Sequence, residues 1–210
     1  MPRRRIPENP QGIEVLEVVP LAGGTFSAQL IPQIADLLSK FGHTKNDLTA
    51  FTVVSGPGSF TGLRIGLAAV KALGEVLLKP IAAVSLLEVC AFASGMQGKI
   101  LAALDAGRSE VYVGEYELAS TSQSNPRERL LTRDQFLSEA QGHNIVTRDS
   151  VVDEAVRAVG ISVTQLEVSA ADVAKLGWRK IRNGETVTPA QLEANYIRRT
   201  DAEMLERTGS

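Results

Sequence analysis

From Ser27 onward, apolar side chains recur at intervals of three and four: Leu30, Ile31, Ile34, Leu37, Leu38 and Phe41. That spacing lines one side of a helix, and Gly42 is placed to end it. Pro32 removes one backbone hydrogen bond near the start, which predicts a slight kink or a tolerated early-turn proline. Upstream, Ile13 to Val19 is β-prone and is stopped by Pro20, while Gly23-Gly24 breaks the chain. Pro2, Pro7, Pro10 and Gly12 predict an irregular beginning. Leu48 to Val54 predicts a short buried strand, followed by a glycine-rich turn and a helix from Thr61 to Leu78. Ile81 to Val84 reads as a strand, and Ser85 to Ser94 as a helix. Strand–helix–strand alternation implies parallel pairing through right-handed crossovers.

Gly95 to Lys99 reads as a hinge. Beyond it, Ile100 to Leu104 and Glu110 to Leu118 predict a hairpin, and Ala119 to Glu128 a polar loop. Thr132 opens a short helix, Ile145 to Thr147 is a strand, and Asp149 to Val159 a helix. Ser169 to Arg182 is a helix with Ser169 as its cap. The tail, Pro189 to Ser210, is polar apart from Leu192, Tyr196, Ile197 and Leu205. The pattern therefore predicts two α/β lobes, 1–96 and 97–210.

Composition narrows the class. In 210 residues, 44% are hydrophobic and 22% charged, values of a folded chain able to bury one large core or two small ones. The formal charge of −2 argues against a dedicated nucleic-acid clamp. Apolar runs fall short of the roughly 20 residues that cross a bilayer, and no secretory signal is visible. A single cysteine, Cys90, excludes an internal disulfide and suits a reducing cytoplasm.

The most distinctive stretch is Gly56-Pro57-Gly58-Ser59-Phe60-Thr61-Gly62-Leu63-Arg64-Ile65-Gly66-Leu67. A glycine-rich turn ahead of a helix can cradle phosphate with backbone N–H groups. The Walker Gly-Lys-Ser/Thr ending is absent, however, and Thr61 stands where a Rossmann loop needs its third glycine. A tight turn that lets the helix pack closely is favoured over a ligand site. In the helix behind, Leu63, Ile65, Leu67, Val70, Leu73, Val76, Leu77 and Leu78 cover most of the circumference, and Arg64, Lys71 and Glu75 form one polar strip. Such a helix is buried on more than its sheet side. Gly62, Gly66 and Ala69 leave a flat groove, filled either by the Ser27–Phe41 helix or by a partner protein. His43 and His143 read as surface residues and Cys90 as inert core. Ser59 lacks the glycines of a nucleophile elbow. Asp105 reads as a turn cap, Tyr112 and Tyr116 as cross-strand packing, and Arg198-Arg199 as solvated tail.

That glycine segment, with Lys71 and Val84-Ser85-Leu86-Leu87-Glu88, closely resembles the TsaB (YeaZ) family. Leu104-Asp105-Ala106-Gly107-Arg108-Ser109-Glu110-Val111-Tyr112 is similar to the family's hairpin motif, with Gly107 where arginine is usual. Tyr196-Ile197-Arg198-Arg199 looks like its C-terminal signature. The resemblance implies an α/β, actin-like ATPase (ribonuclease H-like) fold of two lobes. Family members open with two strands, the first ending in Asp-Thr-Ser, before the segment matching 13–19. The first lobe is therefore expected to be incomplete, with a start codon placed late favoured over truncation or rearrangement. Phe26 and Ala28 also depart from the family's His and Glu.

The same resemblance implies a non-catalytic scaffold subunit for N6-threonylcarbamoyladenosine synthesis at position 37 of tRNAs reading ANN codons. It implies a heterodimer with TsaD, joined by TsaE, a homodimer when alone, tRNA met only through the complex, and no membrane. No catalytic residue, metal or cofactor is expected in this subunit; ATP and metal belong to the partner. The implied interface is Leu30, Ile34, Leu37, Gly62, Arg64, Gly66, Ala69 and Leu73, beside the motif loop Gly56, Pro57, Gly58, Ser59, Phe60 and Thr61. The alternative is a glycoprotease-like peptidase or nucleotide-binding enzyme of the same fold.

Overall fold

The computed structural model describes residues 13–21, 26–118 and 127–197. In chain order the elements are α1 (Phe26–Lys40), β1 (Phe51–Gly56), α2 (Phe60–Leu77), β2 (Ile81–Ser85), α3 (Leu86–Ala93), β3 (Gly98–Gly107), β4 (Glu110–Leu118), β5 (Arg127–Thr132), α4 (Arg133–Glu139), β6 (Asn144–Thr147), α5 (Ser150–Ala158), β7 (Val163–Gln165) and α6 (Ala170–Arg182).

The first sheet is the parallel pair β1–β2, with Phe51 opposite Ile81 and Val54 opposite Val84. Alternate side chains serve two faces, as strand geometry requires. Val53 and Ile81 meet Leu63, Leu67 and Val70 of α2 on one face, and Val54 and Val84 meet Leu176 of α6 on the other. Two glycines set the helix spacing. A Cβ on Gly74 would lie 2.9 Å from Ile81 Cδ1, and one on Gly177 would lie 2.1 Å from Thr52 Cγ2. Both helices thus reach the sheet only because a side chain is missing there.

The second sheet has the order β5-β4-β3-β6-β7, antiparallel through β3–β4–β5 and parallel through β3–β6–β7. Phe136 of α4 and Val152 and Val156 of α5 close one face over Leu101, Val113 and Ile145. Helix α3 closes the other, with Leu87, Cys90 and Ala91 against Ile100, Ala102 and Tyr116. Its Val89 faces Val84 and Leu176. Wedged between the sheets, α3 is apolar on nearly every side, as burial on two faces demands. Residue 96 separates the two sheets along the sequence, while α6 and the chain after it return to the first sheet.

Several boundaries differ from the sequence reading. The segment 13–19 is not a strand: it forms no ladder, because β propensity makes a strand only where an edge accepts it. It lies across the C-terminal half of α1, where Glu17 pairs with Lys40 at 2.7 Å. An open apolar groove of about 510 Å³ runs between this segment, Leu38 and Phe41 of α1, Leu48, and Ala170 and Ala174 of α6. Strand β1 starts at Phe51 rather than Leu48, since a 3-10 turn capped by Thr44 occupies Lys45–Asp47. Strands β5 and β7 are additional. Arg127-Glu128-Arg129 is too polar, and Val163–Gln165 too short, to announce a strand. Helix α1 holds Pro32 without a break and ends at Gly42, whose φ is +70°. Arg198, Arg199 and Leu205 lie outside the described residues.

Candidate functional site

The motif loop begins where β1 runs out. Gly56 has φ +140°, a conformation that L side chains rarely adopt, and a Cβ there would sit 2.6 Å from the Asn195 carbonyl oxygen. The glycine therefore serves close backbone approach, in keeping with the tight-turn reading. Gly56 and Pro57 are buried and joined by a cis peptide bond, while Gly58, Ser59, Phe60 and Thr61 are exposed. Ser59 caps α2, its Oγ accepting from the Gly62 N–H at 3.4 Å. That contact explains why a Ser stands one residue before the helix.

The C-terminal segment after α6 holds this loop in place. Leu192 is 2% exposed and packs with Leu67 and Ile81. The Asn195 N–H donates to the Ser55 carbonyl at 2.8 Å. The Asn195 side-chain Nδ2 donates to Glu128 Oε2 at 2.6 Å, and the Tyr116 hydroxyl donates to Glu128 Oε1. Tyr196 then lies over Phe60 with ring centroids 5.8 Å apart. The Arg64 guanidinium sits 3.7 Å from the Phe60 centroid, and its Nε donates to the Tyr196 hydroxyl at 3.5 Å. The segment from Leu192 to Ile197 is thus packed structure, while Arg198 and Arg199, read as solvated tail, lie outside the described residues. Burial, then the charge of Glu128, pushes the Tyr116 hydroxyl far above the usual phenol range.

Helix α2 shows which of its sides is free. Leu67 and Gly74 are buried, and Leu63 and Val70 pack beside them. At 100° per residue, the opposite side carries Thr61, Ile65, Ala68, Ala72 and Val76. Thr61, Ala68 and Ala72 are exposed, Ile65 is half-buried, and Val76 is 75% exposed. No charge interrupts this stripe; Arg64, Lys71 and Glu75 all fall on one flank. Of the residues expected at an interface, Gly62 and Arg64 are exposed, while Gly66, Ala69 and Leu73 are half-buried on the other flank. A Cβ on Gly66 would meet nothing within 4 Å, so no α1 side chain fills the groove there. On α1, Leu30, Ile34 and Leu37 are half-buried and Ile31 is 49% exposed. The structure therefore groups Arg64 with Phe60 and Tyr196, leaves Gly62 exposed beside its cap Ser59, and turns the free side of α2 toward Ile65, Ala68, Ala72 and Val76. Of those residues, Ile65 and Val76 belong to the apolar circumference read from the sequence; Ala68 and Ala72 were not singled out there, because a small side chain marks neither face.

Other candidate chemistry is separate. Both histidines are exposed. Cys90 is fully buried, and burial pushes its thiol up to about 12. Asp105 Oδ1 accepts from the Gly107 N–H at 3.2 Å, the turn cap expected of it. Among the described residues, no group of three or more His, Cys, Asp or Glu side chains is placed to hold a metal ion. No described helix is long and apolar enough to cross a membrane.

Comparison with known proteins adds a family context. Residues 18–146 match the family model described as TsaD: tRNA N6-adenosine threonylcarbamoyltransferase. The chain is 30% identical over 191 residues to the Bacillus subtilis tRNA threonylcarbamoyladenosine biosynthesis protein TsaB, covering 84% of this chain and 81% of that protein. The Escherichia coli TsaB is 35% identical over 92 residues, covering 42% and 40%. A solved Pseudomonas aeruginosa structure, described as an uncharacterized protein with similarity to peptidase YEAZ, superposes with a TM-score of 0.67 at 27% identity, covering 81% of this chain and 83% of that one. The architecture is the actin-like, ribonuclease H-like one expected from the motif segment.

Proposed function

The chain belongs to the TsaB (YeaZ) family, and from that premise we propose that it is a non-catalytic subunit in tRNA N6-threonylcarbamoyladenosine synthesis, acting by binding a TsaD-type partner. The modified base is position 37 of tRNAs reading ANN codons. The observation that carries this reading is the uncharged outward stripe of α2, which the fold leaves unused while it buries the opposite side. A stripe of Ala and Thr, with larger apolar residues at Ile65 and Val76, lets a second helix come close. Solvent exposure of such a face is unfavourable, and helix-on-helix contact removes it from water. The half-buried side chains of α1 widen the same surface. In this account TsaE joins the pair, ATP and metal reside on the partner, and tRNA is met only through the cytoplasmic complex. Without the partner, the stripe pairs with its copy in a homodimer.

The test is affinity for purified TsaD-type partner. Ala72→Glu places a charge at the centre of the stripe and is expected to weaken binding at least about a hundredfold, with unchanged circular dichroism. Gly66→Leu, on the flank, is expected to weaken it less. Full affinity in Ala72→Glu would remove the interface from α2. A peptidase reading is favoured only by the description of the Pseudomonas structure. In this chain Ser59 Oγ accepts a backbone N–H, and no described serine or cysteine hydrogen-bonds a histidine. Peptide hydrolysis by the purified chain alone would restore that reading.

A further inference from the structure

The tail segment 192–196 touches three parts of the molecule within five residues. Leu192 enters the core under α2, the Asn195 backbone grips Ser55 and fills the space beside Gly56, and the Tyr196 ring packs tilted against Phe60. The Asn195 side chain reaches the second sheet at Glu128, which is 67 residues away in sequence and held on its other oxygen by Tyr116. Tyr116 is itself only 4% exposed and sits in the core shared by α3, β3 and β4. A continuous polar chain therefore runs from the interior of the second lobe, through Tyr116, Glu128 and Asn195, to Ser55 at the start of the motif loop, and Tyr196 beside it reaches the first turn of α2 at Phe60. The loop is buried at Gly56 and Pro57, whereas its outer part, Gly58, Ser59, Phe60 and Thr61, is exposed.

We propose that residues 192–196 act as an inter-lobe strap, with Asn195, Glu128 and Tyr116 as positioning residues that set the motif loop and the N-terminal turn of α2 from the second lobe. Two properties make the chain suited to this role. Glu128 accepts from both sides, so each hydrogen bond to it is charge-assisted and stronger than a neutral one. The Asn195 main chain and side chain act on different lobes, so a shift of one lobe is passed to the other through a single residue. A change around β4 or β5 would then be felt at Phe60 and Arg64. The consequence for partner affinity rests on the reading given above; the coupling between the lobes does not.

Amide hydrogen exchange of the full chain tests the strap. Asn195→Ala keeps the backbone bond to Ser55 and removes the link to Glu128, while Tyr116→Phe removes the hydroxyl and keeps the buried ring. Both are expected to raise exchange in 56–64 and 192–196, by about tenfold for Asn195→Ala and less for Tyr116→Phe, with α5 unchanged. Glu193→Ala, exposed in the same segment, is expected to change nothing. Unchanged exchange at 56–64 in both variants would overturn the strap, as would an equal rise in every element, which is plain loss of stability. A partner titration on the same variants separates the two readings. Weakened binding in Asn195→Ala follows if the first turn of α2 meets the partner. Altered exchange with wild-type affinity would keep the strap and move the interface away from that turn.

Discussion

Replacing Gly56 by Ala presses on the point where loop and strap meet. The native φ of +140° is a conformation that L residues occupy at a penalty of about 1–3 kcal/mol. The added Cβ would also lie 2.6 Å from the Asn195 carbonyl oxygen and 3.4 Å from its carbonyl carbon. These are backbone atoms, so no rotamer change relieves the contact, and overpacking of this kind costs about a further 1–3 kcal/mol. Together they amount to roughly 2–6 kcal/mol, a large share of the roughly 5–15 kcal/mol that holds a domain folded. For a chain of this size, 1 kcal/mol moves Tm by roughly 2–4 °C, so Gly56→Ala is expected to lower Tm by about 4–24 °C. Detachment of the strap limits the penalty, because a segment can open locally at less than the global stability. In that case Tm falls less and exchange at 192–196 rises instead. Thermal melts followed by circular dichroism, with exchange on the same sample, read both outcomes. A Tm within about 2 °C of wild type together with native protection at 192–196 would refute the close approach.

Three further outcomes follow from the packing. Gly177→Ala, whose Cβ would meet Thr52 Cγ2 at 2.1 Å and Oγ1 at 2.2 Å, is expected to lose about 1–3 kcal/mol against a helix-propensity gain of about 1 kcal/mol. A lower urea midpoint, partly restored by adding Thr52→Ala, is the expected result; a higher midpoint would mean α6 does not press on β1. Leu78 is 87% exposed with φ +52°, so Leu78→Gly relieves left-handed strain without losing packing and is expected to raise Tm by about 1–4 °C. Cys90 is expected to resist a thiol reagent at pH 8 until the chain unfolds. Its thiol is raised from the ordinary 9.0 to about 12, so the folded chain keeps a proton that the unfolded chain releases. Its contribution is therefore fully present below pH 9 and lost as pH rises toward 12.

Regular elements with strong periodicity were legible in the sequence. The helix behind the glycine motif, the β3–β4 hairpin and the Ser169-capped helix are found within a few residues of their expected bounds, because burial on one side and capping chemistry are local signals. Misreadings share a physical cause. The segment 13–19 has the side chains of a strand but no ladder, since pairing depends on what lies beside it. Edge strand β5 is polar because the fold supplies its side chains with polar partners: Arg129 pairs with Glu115 of β4 at 2.8 Å, and Glu128 accepts from Tyr116 and Asn195. Glu128 and Asn195 carry no motif, and their bond exists only once the fold brings residues 67 apart together. The free side of α2 was hidden for a similar reason. An almost wholly apolar circumference does not say which arc meets the sheet until Gly74 is seen against Ile81.

The central claim, that the outward stripe of α2 docks a TsaD-type partner, is tested most directly by hydrogen-exchange footprinting of the chain with and without that protein. The account predicts new protection across residues 61–76 and at α1, with α4 and α5 unchanged. Protection confined to the second lobe, with 61–76 exchanging as in the free chain, would contradict it.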